Sequence, residues 1–195
     1  MISIDCEMTG LDISECAVIS VGAIDLKNPE RRIYIEMRPF EGARLDDEAL
    51  EVCGYTKEQL AALPINQHEG LTKLAEFLDA SDERNVVGQN VSTDVYFLNK
   101  AFERAGIDCK IPYRVMDLHS MVCAKLLLKG DFIPMEERKS TLNLDTLLNL
   151  SGIPEEPRPH IALTGALSAA EVYFRLIERR AVLPEFSQYP WDAKS

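Results

Sequence analysis

Three short alternating segments crowd into the chain before Met37, and they restrict the fold more than any other feature. Ile2, Ile4 and Cys6 alternate with Ser3, Asp5 and Glu7, so a strand here is apolar on one side and polar on the other. After the turn-like Thr9-Gly10, residues 17–24 form an apolar run of the kind found in buried strands. Lys27-Asn28-Pro29-Glu30 marks a tight turn, and residues 32–37 alternate again. Three strands joined by short turns make an antiparallel meander. The pattern then changes to helices at residues 46–53 and 66–80, the second carrying Leu71, Leu74, Ala75 and Leu78 on one stripe. A strand over residues 85–88 leads into a helix over Ser92–Ala105, which Gly106 ends. A fifth strand at residues 114–116, with Asp117 capping the next helix, and helices at 142–150 and 161–180 complete the reading. No repeat or linker divides the 195 residues, so one α/β domain is expected.

Charge and cysteine content narrow the partners. The net charge is −11, and no basic run exceeds the pairs Arg31-Arg32 and Arg179-Arg180. A protein that neutralises the phosphates of long duplex DNA carries a basic face. What remains is either no nucleic-acid partner or a local grip on a chain end. No apolar stretch approaches the ~20 residues of a membrane helix. Asp5 and Glu7 also stand where a secretory leader carries positive charge and then an apolar run. The five cysteines are odd in number and contain no CxxC pair, which argues against a disulfide framework and a zinc site. A reducing, intracellular (cytoplasmic) setting without membrane attachment is expected.

Two carboxylates carry the first sign of chemistry. Asp5 and Glu7, two apart on one strand, point to the same side a few ångströms from each other. Like charges so placed repel unless a cation or water offsets them. The alternative is a solvated outer face of an edge strand. Asp94 lies in the first turn of its helix, where the dipole favours an acid. It shares a stripe with Leu98, Ala101 and Ala105, and so points inward, at a strand–helix junction of the kind where α/β sheets bind ligands. His160 follows the rigid Pro157-Arg158-Pro159. Asp117 reads as a helix cap, His68 and His119 as surface or packing residues, and Asp145 as a solvated helix position.

Taken together, Asp5-Cys6-Glu7-Met8-Thr9-Gly10-Leu11, Gly88-Gln89-Asn90 with Asp94 and Phe97, and His160 ahead of Ala169-Ala170-Glu171-Val172-Tyr173 resemble the three motifs of the DEDD exonucleases. The match is to the histidine-bearing, DnaQ-like (DEDDh) branch. The resemblance implies a ribonuclease H-like α/β fold, a five-stranded mixed sheet flanked by helices. It implies an exonuclease domain over residues 1–183, followed by an irregular tail over residues 184–195. It further implies two Mg²⁺ or Mn²⁺ ions held by Asp5, Glu7 and Asp94, with His160 as the general base for hydrolysis at a 3' end. Met8 and Thr9 resemble the segment that receives the terminal nucleotide through backbone groups. Leu11 and Phe97 resemble the apolar contacts to the last bases, with core packing as the alternative for both. The implied substrates are single-stranded 3' ends or short oligonucleotides, with a second copy of the chain or a polymerase-type protein as partner.

One position departs from the pattern. The branch has an aspartate five residues after its histidine, and here that residue is Gly165. A glycine inside a segment of good helix formers costs ~1 kcal/mol relative to alanine. Such a residue where a metal ligand is expected implies weakened metal binding and lowered turnover. Glu171 lies too far along the helix to substitute. A catalytically inactive binding or scaffold module of the same fold, and a phosphohydrolase acting on smaller esters, are the competing readings.

Overall fold

The computed structural model describes residues 1–191. The meander forms as β1 (Ile2–Met8), β2 (Val18–Asp25) and β3 (Asn28–Glu36). Asp25 pairs with Asn28, so the turn is shorter than the sequence suggests and Pro29 already belongs to β3. That strand lies at the sheet edge, where a residue without an N–H is tolerated. β4 (Val86–Gly88) and β5 (Met116–Asp117) add in parallel, giving a five-stranded mixed sheet of order β3-β2-β1-β4-β5. β1 is therefore the middle strand, and the reading of Asp5 and Glu7 as a solvated edge face is overturned.

Helices cover both faces. They are α1 (Asp47–Cys53), α2 (Lys57–Ala62), α3 (Gln67–Asp79), α4 (Ser92–Ala105), α5 (Leu118–Lys129), α6 (Leu144–Leu150) and α7 (Ala162–Val172). On one face Ile2, Ile4 and Cys6 of β1 join Leu74 and Leu78 of α3 and Leu98 and Phe102 of α4 in the main core. Burying each isoleucine contributes about 1.5–3 kcal/mol. On the other face α7 lies directly over β1 and β2, which its small inward residues Ala162, Ala166 and Ala170 allow. Gly22 sets the distance. A Cβ at Gly22 would fall 2.3 Å from the Ala162 carbonyl oxygen, so only glycine admits the helix this close. The Ser3 hydroxyl donates to the Ala166 carbonyl at 2.8 Å, tying β1 to the same helix.

Elsewhere the structure departs from expectation in several ways. α2 was not foreseen, although Thr56 and Gln59 form a reciprocal capping box at its start. A small hairpin of β6 (Met135–Glu136) and β7 (Lys139–Ser140) is likewise new. The expected helix over residues 161–180 is α7 followed by one π turn at Tyr173–Ile177, where Arg175 is drawn fully inside to meet Glu171. Part of the expected irregular tail is ordered against the body. Pro184–Phe186 makes a 3-10 turn, and Arg175 donates to the carbonyls of Phe186 and Tyr189. Residues 192–195 lie outside the described residues.

Candidate active site

β1 pairs with β4 only at Ile2 and Ser3, so its second half runs on beyond the end of β4 and a cleft opens there. Diverging strand ends of this kind are where α/β sheets place ligands. Asp5 and Glu7 leave β1 on the side covered by α7, and both line this cleft, of about 340 Å³, together with His160. His160 is fixed by its own backbone, whose N–H donates to the Val52 carbonyl of α1 at 3.2 Å. Asp94 sits beneath, 6 % exposed, and accepts the Cys6 N–H at 2.9 Å through Oδ1. The structure thus brings the four residues to the end of one strand. Asp94 does so from the core side, holding the β1 backbone, rather than from the cleft wall.

The electrostatics are those of crowded acids. Burial, then the charges of Asp94 and Glu7, push the Asp5 carboxyl well above its usual range. Burial pushes Asp94 up to about 7 against the opposing Cys6 N–H. Glu7 is raised by burial, a shift that the Cys53 thiol, donating to Oε2 at 3.0 Å, and the nearby His160 moderate. The Cys53 thiol is itself pushed up by burial and by Glu7, which keeps it protonated as a donor. The Asp5 carboxylate has no hydrogen-bond partner among the described residues and leans over Gly165. A Cβ at residue 165 would lie 2.3 Å from Asp5 Oδ2.

The donor set fits hard divalent cations, which take carboxylate oxygens and would relieve this repulsion. Among the described residues, no three His, Cys, Asp or Glu side chains already converge closely enough to chelate an ion.

The four expected substrate contacts divide. Met8 and the 85 % exposed Leu11 line a second hollow of about 410 Å³ beside Glu7, in the size range of small-ligand sites. Thr9 is buried, and its backbone is spent within the chain: its N–H donates to Ala17 and its carbonyl accepts from Asp46. Phe97, 2 % exposed, packs in the main core. As they stand, neither Thr9 nor Phe97 offers a group to the surface, because α4 turns its Asp94 stripe, and Phe97 with it, into the sheet. Asp117 caps α5 by accepting the Ser120 N–H at 3.1 Å, as expected.

Two residues that sequence reasoning passed over belong to the cleft. Glu156 and Asp145 both line it, and Asp145 Oδ1 accepts the Glu156 N–H at 3.2 Å. Asp145 is thus half-buried and bonded rather than solvated. Burial, then Glu7 and Asp145, push Glu156 up to about 7. The nearness of Glu156 to His160 in the chain was the only sequence signal for its presence.

The sequence and the fold both resemble those of known proteins. The exonuclease family that includes ribonuclease T matches the chain over residues 2–173. Ribonuclease T of Haemophilus influenzae is 27 % identical over 117 residues, which are 53 % of this chain and 51 % of that protein. The PolC-type DNA polymerase III of Thermotoga maritima is 26 % identical over 178 residues, covering 90 % of this chain but 12 % of the polymerase. The chain therefore spans about half the length of the ribonuclease T relative. In fold it is similar to the cell-death related nuclease CRN-4, with a TM-score of 0.70 at 16 % identity over 92 % of this chain and 64 % of the other. It is similar also to E. coli exonuclease I in complex with a dT13 oligonucleotide, with a TM-score of 0.70 at 16 % identity over 92 % and 41 %. A mixed sheet with an acidic cluster at the end of its middle strand thus meets a family match over most of the length: the chain belongs to the ribonuclease T family of DnaQ-like 3'–5' exonucleases, with a ribonuclease H-like fold.

Proposed function

We propose that this chain removes nucleotides from the 3' ends of single-stranded DNA or RNA, with turnover reduced by Gly165. The observation that carries the reading is the gathering of Asp5, Glu7, Asp94 and His160 where β1 outruns β4. Asp5, Glu7 and Asp94 would hold two Mg²⁺ or Mn²⁺ ions, which would supply Lewis-acid stabilisation of charge on the phosphate. His160, held by Val52 at the cleft rim, takes the proton of the attacking water. Leu11 and Met8 present apolar surface to the terminal base in the adjoining hollow. Phe97 acts from beneath, packed in the main core, and Thr9 ties the end of β1 to Ala17 and Asp46. The net charge of −11 disfavours a long duplex and suits short oligonucleotides or a partner that delivers the end. Exonuclease I, whose structure holds dT13, and the PolC-type polymerase illustrate those two kinds of setting.

The test uses 3'- and 5'-labelled DNA and RNA oligomers with Mn²⁺. Stepwise loss from the 3' end is expected, abolished by Asp5→Asn and lowered by about 10²–10⁴ in His160→Ala, the range of a lost general base. Activity that survives Asp5→Asn at the wild-type rate sinks the assignment. Gly165 favours one second reading, a module that binds single strands without turnover. Binding of the oligomer with no cleavage in Mn²⁺, even in Gly165→Asp, would select it.

A further inference from the structure

Helix α7 offers the cleft no acid at residue 165, and its one carboxylate is spent elsewhere. Glu171 is fully buried, pairs with Arg175 at 2.7 Å and accepts the N–H groups of Val182 and Leu183. An additional acid comes from the loop that enters the helix. Glu156 stands four residues before His160 and lines the cleft with Asp5 and Glu7. Its Oε1 is buried and has no hydrogen-bond partner among the described residues. Arg158 lines the same cleft, yet no ion pair joins it to Glu156 among the described residues. Leaving a buried carboxylate oxygen without a donor costs stability, a cost that a bound cation would relieve.

The loop is also held for the purpose. Asp145 fixes the Glu156 backbone N–H, and Asp145 itself sits in the first turn of α6, whose start Asn143 caps through the Thr146 N–H at 2.9 Å. Asp5, Glu7 and Glu156 all line the one cleft. The space over Gly165 is filled by the Asp5 carboxylate itself. The acids of this cleft are thus arranged from the loop side, not the helix side.

We propose that Glu156, delivered by the loop before His160, supplies the divalent-cation site with the carboxylate that Gly165 cannot. This rests on the metal-dependent reading above. Asp145 is a positioning residue, acting through the Glu156 backbone.

Mn²⁺ binding to the full chain, measured by calorimetry without nucleic acid, tests it, with melting in chelator as the check on folding. Glu156→Gln is expected to weaken Mn²⁺ binding by about tenfold or more, since even outer partners of metal ligands cost that much. Its metal-free melting temperature should stay level or rise. Glu156→Asp should retain part of the affinity, and Gly165→Asp placed in the Glu156→Gln background should recover most of it. Wild-type affinity in Glu156→Gln, beside loss in Asp5→Asn, overturns this inference alone. Loss in Glu156→Gln with no recovery from a folded double variant overturns the substitution for residue 165. Unchanged Mn²⁺ binding in Asp5→Asn overturns the metal-dependent reading, and this inference with it.

Discussion

Asp94 and Glu156 are each pushed up to about 7, one beneath β1 and the other across the cleft. In the unfolded chain such carboxyls titrate near 4. Between about pH 4 and pH 7 the folded protein therefore holds more protons than the unfolded one, and stability falls as pH rises through that window. Each unit of such a shift corresponds to about 1.4 kcal/mol. With chelator present, the melting temperature should drop between pH 5 and pH 8, and Asp94→Asn should flatten that drop. A cation that needs the deprotonated acids should reverse it, so Mn²⁺ should stabilise more at pH 8 than at pH 5. A wild-type profile that is flat in chelator and coincides with that of Asp94→Asn would contradict the account.

At the scale of elements, the position of α7 decides how close the loop, His160 and residue 165 come to β1. Gly22 is paired with Asp5 across the β1–β2 ladder, and its missing side chain is what admits α7. In Gly22→Ala the new methyl meets helix backbone, which cannot turn aside as a flexible side chain does. Overpacking of this kind costs about 1–3 kcal/mol. Denaturant unfolding should show an earlier midpoint, and cleavage activity should fall with it because His160 and β1 separate. Gly165 contrasts with this. A side chain there first meets the Asp5 side chain, whose carboxylate can swing away, so Gly165→Asp should fold normally. The capping box of α2 was legible in Thr56 and Gln59, whereas the hairpin of β6 and β7 is exposed and short and leaves little periodic trace.

For the molecule as a whole, the buried Glu171–Arg175 pair acts as the fastening between the domain and its C-terminal segment. Arg175 reaches the carbonyls of Ser151, Phe186 and Tyr189, while Glu171 holds the N–H groups of Val182 and Leu183. Removing the cation leaves a buried carboxylate without its counter-charge. Arg175→Met should therefore lower the unfolding free energy by about 3–5 kcal/mol, with Glu171→Leu added to it restoring part of the loss. Equilibrium denaturation of the single and double variants measures both. Limited proteolysis should cut first within residues 182–190 of the single variant. A single variant as stable as the wild type would show that the segment is held by other contacts.

The acidic pair on β1 was legible from the sequence because strand period two is local: Asp5 and Glu7 must share a side whatever the rest of the chain does. The same holds for Asp94, whose helical spacing from Leu98 and Ala101 turns it inward, and for the glycine break at residue 165. Local periodicity does not say which side is covered, or by what. Only the tertiary structure made β1 the middle strand, laid α7 against Gly22, and set Asp5 over Gly165. Only packing could retire the Thr9 backbone and Phe97 to the interior, and bring Glu156 and Asp145 from a loop and a separate helix into one cleft. Those placements depend on how distant segments close on each other, which the spacing of residues along a single element does not encode.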